Sequence, residues 1–123
     1  KARKVNAGAI AEGRCNVQQA SVAELPFEAE RFDVATAFET IYFWPELAQN
    51  FREVYRVLKP GGTFFICNEA NGETAKDDKW TQIINGMTIY TDADLKVYLE
   101  QAGFCKIQSY KNKKGWLCVT AQK

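Results

Sequence analysis

Two hydrophobic periods alternate along the chain. In Arg31–Phe38 ("RFDVATAF") the residues after Asp33 are almost continuously apolar, which predicts a strand buried on both faces, as in a parallel sheet. Leu47, Phe51, Val54, Tyr55 and Leu58 then recur at helical spacing on one face, and Pro45 suits the first turn of that helix. Lys59-Pro60-Gly61-Gly62 has tight-turn chemistry: Pro60 presets φ, Gly61 accepts a positive φ and Gly62 leaves without a Cβ clash. "GTFFICNEA" (Gly62–Ala70) reads as the next buried strand. Asn71–Lys79 is polar and predicts a loop leading to a short helix around Trp80–Ile84. Thr91 and Asp94 have capping-box spacing, Leu95, Tyr98, Leu99 and Ala102 form the stripe of a helix, and Gly103 ends it. "FCKIQSYK" and "GWLCVTAQK", separated by Asn112–Lys114, predict an antiparallel hairpin.

The opening third is less strongly patterned. Lys1–Glu12 predicts a helix ended by Gly13, with Val5, Ala9 and Ile10 on one side. Cys15–Ala20 predicts a short strand, and Ser21–Glu30 a loop in which Pro26 argues against a central strand. The order α-β-loop-β-α-β-α-β-β predicts an α/β fold, with a mostly parallel sheet covered on both faces and a C-terminal antiparallel hairpin.

Composition narrows the function classes. The length of 123 residues allows a single domain with a core of its own. Sixteen basic residues against fifteen acidic ones give no electrostatic reason to expect nucleic acid or an anionic membrane. No apolar run reaches the length of a membrane span. The four cysteines (Cys15, Cys67, Cys105, Cys118) stand singly without CxxC spacing, and there is no histidine. A zinc site or disulfide framework is therefore not suggested, and a reduced, cytoplasmic protein is expected. The chain opens Lys1-Ala2-Arg3-Lys4 without Met or a signal-peptide pattern, which suggests numbering that starts inside a longer protein.

In an open α/β sheet, ligands bind beyond the carboxyl ends of the strands. Ser21–Glu24, Phe38–Trp44 and Asn68–Glu73 fall there. Around them, "QASVAELPFEAERFDVATAF" and "YFWPELAQNFREVYRVLKPGGTFFI" resemble the middle and end of a class I S-adenosylmethionine-dependent methyltransferase. Leu25-Pro26-Phe27, Phe32-Asp33-Val34 and the run from Glu53 through Arg56 to Gly62 match in order and spacing. The resemblance covers essentially the whole chain as a single, partial Rossmann-like methyltransferase domain. It implies S-adenosylmethionine as cofactor in the intact parent protein and a small-molecule acceptor. It places Ser21 and Val22 against the adenine ring, where relatives carry an acidic and a small residue. It places Ala37 and Phe38 beside the methionine part.

Glu39–Trp44 carries three consecutive aromatics where many relatives have polar residues or His. Methyl transfer from a sulfonium mostly requires positioning and exclusion of water, and aromatic faces attract such a cation. Tyr42 and Trp44 are candidates for either pocket wall or core, whereas Phe43 is expected to staple the helix to the sheet. Glu69, Trp80 and Met87 belong to segments that often cover the substrate. An O–H or N–H acceptor needs a base, for which Glu39, Glu69, Tyr42 and Tyr90 are the candidates; a carbon acceptor needs none. Metal-ligating residues are not suggested.

The family's glycine-rich cofactor loop has no counterpart, because no G-x-G pattern occurs. The resemblance then puts the first two strands upstream of Lys1, between Asn16–Ala20 and Phe32–Phe38 in the sheet. An open edge on Phe32–Phe38 follows, and with it either rearrangement of Lys1–Glu24 or self-association across that edge. The isolated chain is expected to be inactive and to bind S-adenosylmethionine weakly or not at all. Fragments of a nicotinamide-dependent oxidoreductase or a non-catalytic α/β module are the rival readings.

Overall fold

The computed structural model describes all 123 residues. Its elements are α1 (Ala2–Val5), α2 (Ala7–Ala11), β1 (Phe32–Phe38), a 3₁₀ turn at Ile41–Phe43, α3 (Leu47–Val57) and β2 (Leu58–Asn68). There follow α4 (Ala75–Ile83), α5 (Asp92–Ala102), β3 (Cys105–Lys111) and β4 (Leu117–Gln122). The four strands form one sheet in the order β1-β2-β4-β3. β1 and β2 are parallel, whereas β4 is antiparallel to both of its neighbours. Three strands therefore run one way and β4 against them, so the parallel character lies in strand direction more than in pairing.

The predicted periods explain which face is packed. Ala37, Ile66 and Val119 share one row across the sheet, as do Phe64 and Ala121 in the next. Leu47, Phe51 and Val54 of α3 and Leu95, Leu99 and Ala102 of α5 close over them into one core. The capping box of α5 forms as its sequence predicts, with the Thr91 side chain accepting from Asp94 N and Asp94 accepting from Thr91 N. Gly103 ends the helix at φ 106°.

Four expectations need correction. The opening helix breaks at Asn6, whose φ of −100° and ψ of 16° separate α1 from α2. Cys15–Ala20 is extended but pairs with no strand, because no neighbouring ladder is present to take its backbone groups. α4 begins at Ala75 inside the stretch expected to be loop, with Asp77 and Asp78 in its first turn where the helix dipole favours them. Helices cover one face of the sheet rather than both: on the other, Val34 is 57% and Phe38 56% exposed.

The segment before β1 is held by α3. Arg56 donates to Phe27 O (2.8 Å) and Leu25 O (3.1 Å), and Glu53, paired with Arg56, accepts from Leu25 N (2.8 Å). The Leu-Pro-Phe run is thus fixed by the charged residues of the helix motif, which gives their matched spacing a physical cause. The same helix passes directly into β2 through Lys59–Gly62. Gly61 has φ +80°, and a Cβ on Gly62 would lie 2.8 Å from Lys59 O and 3.1 Å from Asp33 O. Lys123 closes the corner, its Nζ donating to Tyr55 O and Leu58 O at 2.9 and 2.8 Å.

Gly62→Ala should therefore destabilise the chain by about 1–3 kcal/mol in urea unfolding, the cost of forcing atoms into filled space. Gly8→Ala, where nothing lies within 4 Å of the added Cβ, is the control and should leave stability unchanged or higher. Equal stability of the two variants would contradict the account of the turn.

Candidate functional site

The parallel register sets Phe38 beside Cys67, so the chain leaves β1 and β2 at the same end of the sheet. Glu39 follows immediately with φ +54°, a left-handed conformation that turns its side chain across the strand ends. Its backbone N–H donates to Cys67 O (3.0 Å), which still belongs to the ladder. Its carboxylate Oε1 accepts from Glu69 N and from the Tyr42 hydroxyl, the latter at 3.1 Å. The Tyr42 oxygen in turn accepts from Ala70 N at 3.0 Å. A carboxylate, a phenol and two amides thus join the two strand exits. These bonds fall on Oε1, so Glu39 Oε2 retains acceptor capacity.

Tyr42 is buried within this hub. Burial pushes its phenol far above the usual range; the bond from Ala70 N opposes this, and the Glu39 carboxylate adds to it. At neutral pH it is a hydrogen-bond donor, which removes it as a general base. Next to it, Phe43 is half exposed and turns into the cleft, contrary to the expectation that it staples the helix. The staple is Trp44, which stacks on Phe64 (6.5 Å, 7° between planes) and meets Phe51 edge-on at 6.1 Å.

The opposite wall comes from α4 and the residues after it. Thr88 N donates to Tyr42 O (2.9 Å), bringing Met87 over the cleft beside Trp80. Asp77, 8% exposed, accepts from Asn71 N (3.1 Å) and Gly72 N (2.8 Å), and so fixes the turn that starts α4. Asn71 Nδ2 donates to Gly115 O (2.7 Å) and ties that turn to the entry of β4. The open cleft measures about 690 Å³, a volume suited to a small organic molecule. Beneath the strand exits, Asn68 is fully buried and both polar atoms of its amide lack a hydrogen-bond partner.

Of the residues singled out from sequence, Glu39, Tyr42, Glu69, Trp80 and Met87 meet at this cavity. The others lie elsewhere. Trp44, expected as possible pocket wall, faces a second cavity of about 380 Å³, which Val22 also lines. Ser21 sits in an exposed turn where its Oγ accepts from Ala23 N (3.2 Å). Ala37 is buried in the core, and Phe38 lies on the bare face 5.6 Å from Phe65. Tyr90 packs edge-on against Tyr98 at 5.8 Å and lines neither cavity, and burial raises its pKa. Phe43, Asn71 and Asp77 also line the cleft. Phe43 and Asn71 lie in the strand-end segments Phe38–Trp44 and Asn68–Glu73, and the T-x-x-D spacing of Thr74 and Asp77 carries a helix-start signal.

For the S-adenosylmethionine that the resemblance implies, this chain offers a partial fit. Val22 and Trp44 present an apolar wall, but the Ser21 hydroxyl is engaged by its own turn and Ala37 is covered by core side chains. The cleft beyond the ends of β1 and β2 is the more complete site, with a fixed carboxylate, donors and aromatic walls.

Comparison with known proteins identifies relatives of the chain. A sterol 4-C-methyltransferase of Caenorhabditis elegans is 42% identical over 53 residues, covering 43% of this chain and 16% of that protein. A ubiquinone/menaquinone biosynthesis C-methyltransferase of Bartonella tribocorum is 32% identical over 121 residues, covering 79% of this chain and 46% of its own length. The chain thus spans less than half of either relative. The structure of a SAM-dependent methyltransferase from Thermotoga maritima superposes with a TM-score of 0.76 over 94% of this chain and 68% of that one, at 19% identity, a likeness of fold. Residues 1–66, more than half of the chain, match the family described as a methyltransferase domain, and the chain belongs to that family.

Proposed function

We propose that this chain is the acceptor-side portion of an S-adenosylmethionine-dependent methyltransferase whose small-molecule acceptor occupies the cleft beyond the carboxyl ends of β1 and β2. The observation that carries the reading is the position of that cleft, beyond the carboxyl ends of two parallel strands, in a chain of the methyltransferase family. The named relatives act on sterols and quinones, and Phe43, Trp80 and Met87 give the cleft an apolar wall. A lipid-like acceptor with a polar group directed at Glu39 suits both.

S-adenosylmethionine supplies an activated methyl on a sulfonium. The chain's own part is to bind the acceptor, hold it and exclude water. Glu39, fixed by Glu69 N and Tyr42, has one oxygen left to accept a hydrogen bond from an acceptor hydroxyl. Tyr42 holds that carboxylate in place and gives up no proton of its own at neutral pH. Val22, at the second cavity, is assigned to the cofactor side through its backbone N–H, whereas Ala37, buried in the core, and Phe38, on the bare face, are not. A cytoplasmic setting is proposed with this function; no helix is long and apolar enough to cross a membrane.

Two measurements test the reading. A reduced naphthoquinone or a sterol should quench tryptophan fluorescence, and Trp80→Phe should abolish most of the change. Calorimetry of the same chain should show S-adenosylmethionine binding weakly or not at all. Tight cofactor binding with no Trp80-dependent quenching would contradict the assignment. Separately, the unpaired edge of β1 beside exposed Val34 and Phe38 favours self-association. Sedimentation equilibrium should show a concentration-dependent dimer; a monomer throughout the micromolar range would contradict that part.

A further inference from the structure

The bare face of the sheet carries a row of residues that the cleft does not use. Phe38, Cys67, Cys118 and Tyr110 are successive partners across β1, β2, β4 and β3, so their side chains project from the same side. Within that row Cys67 and Cys118 are directly opposed on antiparallel strands. Their Sγ atoms are 3.3 Å apart, with the Cys118 thiol donating to Cys67. Both are free and partly exposed, so a small reagent reaches them. No helix lies over this face, and closing the pair requires no displacement of core packing.

We propose that Cys67 and Cys118 form a redox-active dithiol that a peroxide closes to a cross-strand disulfide, pinning β2 to β4 beneath the cleft. Directly opposed antiparallel residues have Cα atoms about 4.5–5.5 Å apart. That range lies inside the span a disulfide bridges without backbone movement. One sulfur, as thiolate, attacks a peroxide oxygen, giving a sulfenic acid and water. The second sulfur then displaces the hydroxyl, which leaves with the remaining proton as a second water. Two S–H bonds and the O–O bond are lost, one S–S and two O–H bonds form, and the thiols' two electrons reduce the peroxide.

Burial and the neighbouring Cys118 thiol raise the pKa of Cys67, so at neutral pH Cys67 rests as a thiol. Proximity and register select the pair. The pair also borders the site: Cys67 O accepts from Glu39 N, and Asn68–Asn71 follow directly. Cys118 follows Gly115, which holds Asn71. The closed loop contains α4, α5 and β3, and the cross-link stabilises by restricting the unfolded chain.

The test uses the Cys15→Ser/Cys105→Ser chain treated with hydrogen peroxide, with the unsubstituted chain followed in parallel by differential alkylation in case the double variant folds poorly. The proposal expects an intact mass lower by two hydrogens, a proteolytic fragment joining the Cys67 and Cys118 segments, and a higher Tm that dithiothreitol reverses. In the unsubstituted chain, Cys15 and Cys105 should not appear in that fragment. Thiols that still alkylate after peroxide, separate addition of oxygen to each sulfur, or a cross-link only between chains would each overturn it.

Discussion

The parallel pairing of β1 with β2 is the constraint on which the rest depends. Because Phe38 stands beside Cys67, the two strands leave the sheet together, and Glu39 meets Glu69 across one strand spacing. Antiparallel pairing would send one of those exits to the far end of the sheet. The left-handed turn at Glu39 then lets a single carboxylate serve both exits, and Tyr42 completes the junction from a 3₁₀ turn packed on the core through Ile41. The cleft is the space left above that junction once α4 is tied down by Asp77 and Asn71.

The sheet is asymmetric in a way that follows from its contents. One face is sealed by α3 and α5, with Phe64 in ring contact with both Phe51 and Phe104. The other keeps Val34, Phe38 and Tyr110 in solvent, and the edge of β1 has no partner. Large exposed apolar side chains on one face mark a surface that takes part in association. A fold of this kind also hosts many functions, so the functional argument rests on the cleft and its residues rather than on the sheet.

Much of this was legible in the sequence, for physical reasons that differ by region. α3, β2 and α5 were readable because their periods are long, and Thr91 and Gly103 mark the ends of α5; α3 starts at Leu47, after Pro45, and β2 already at Leu58, ahead of the expected turn. The cleft was readable through Glu39, Tyr42, Glu69, Trp80 and Met87, since strand-end position follows from element order. Phe43 lines the cleft and Trp44 takes the core alternative, because only the turn geometry decides which of the consecutive aromatics is inward. Cys15–Ala20 has strand composition, but a strand needs a neighbour to pair with. The opposition of Cys67 and Cys118 was hidden because register between segments fifty residues apart leaves no local trace.

The junction of Glu39, Tyr42 and Ala70 is the centre of the account, and amide hydrogen exchange tests it most directly. In the native chain the Ala70 N–H, buried against the Tyr42 oxygen, should be protected to a degree comparable with Ile66 inside β2. In Tyr42→Phe the partner is lost, and exchange at Ala70 should accelerate by about tenfold or more, the equivalent of one buried hydrogen bond, while Ile66 changes far less. An Ala70 amide that exchanges as fast as an exposed loop in the native chain, or that ignores the substitution, would contradict the account.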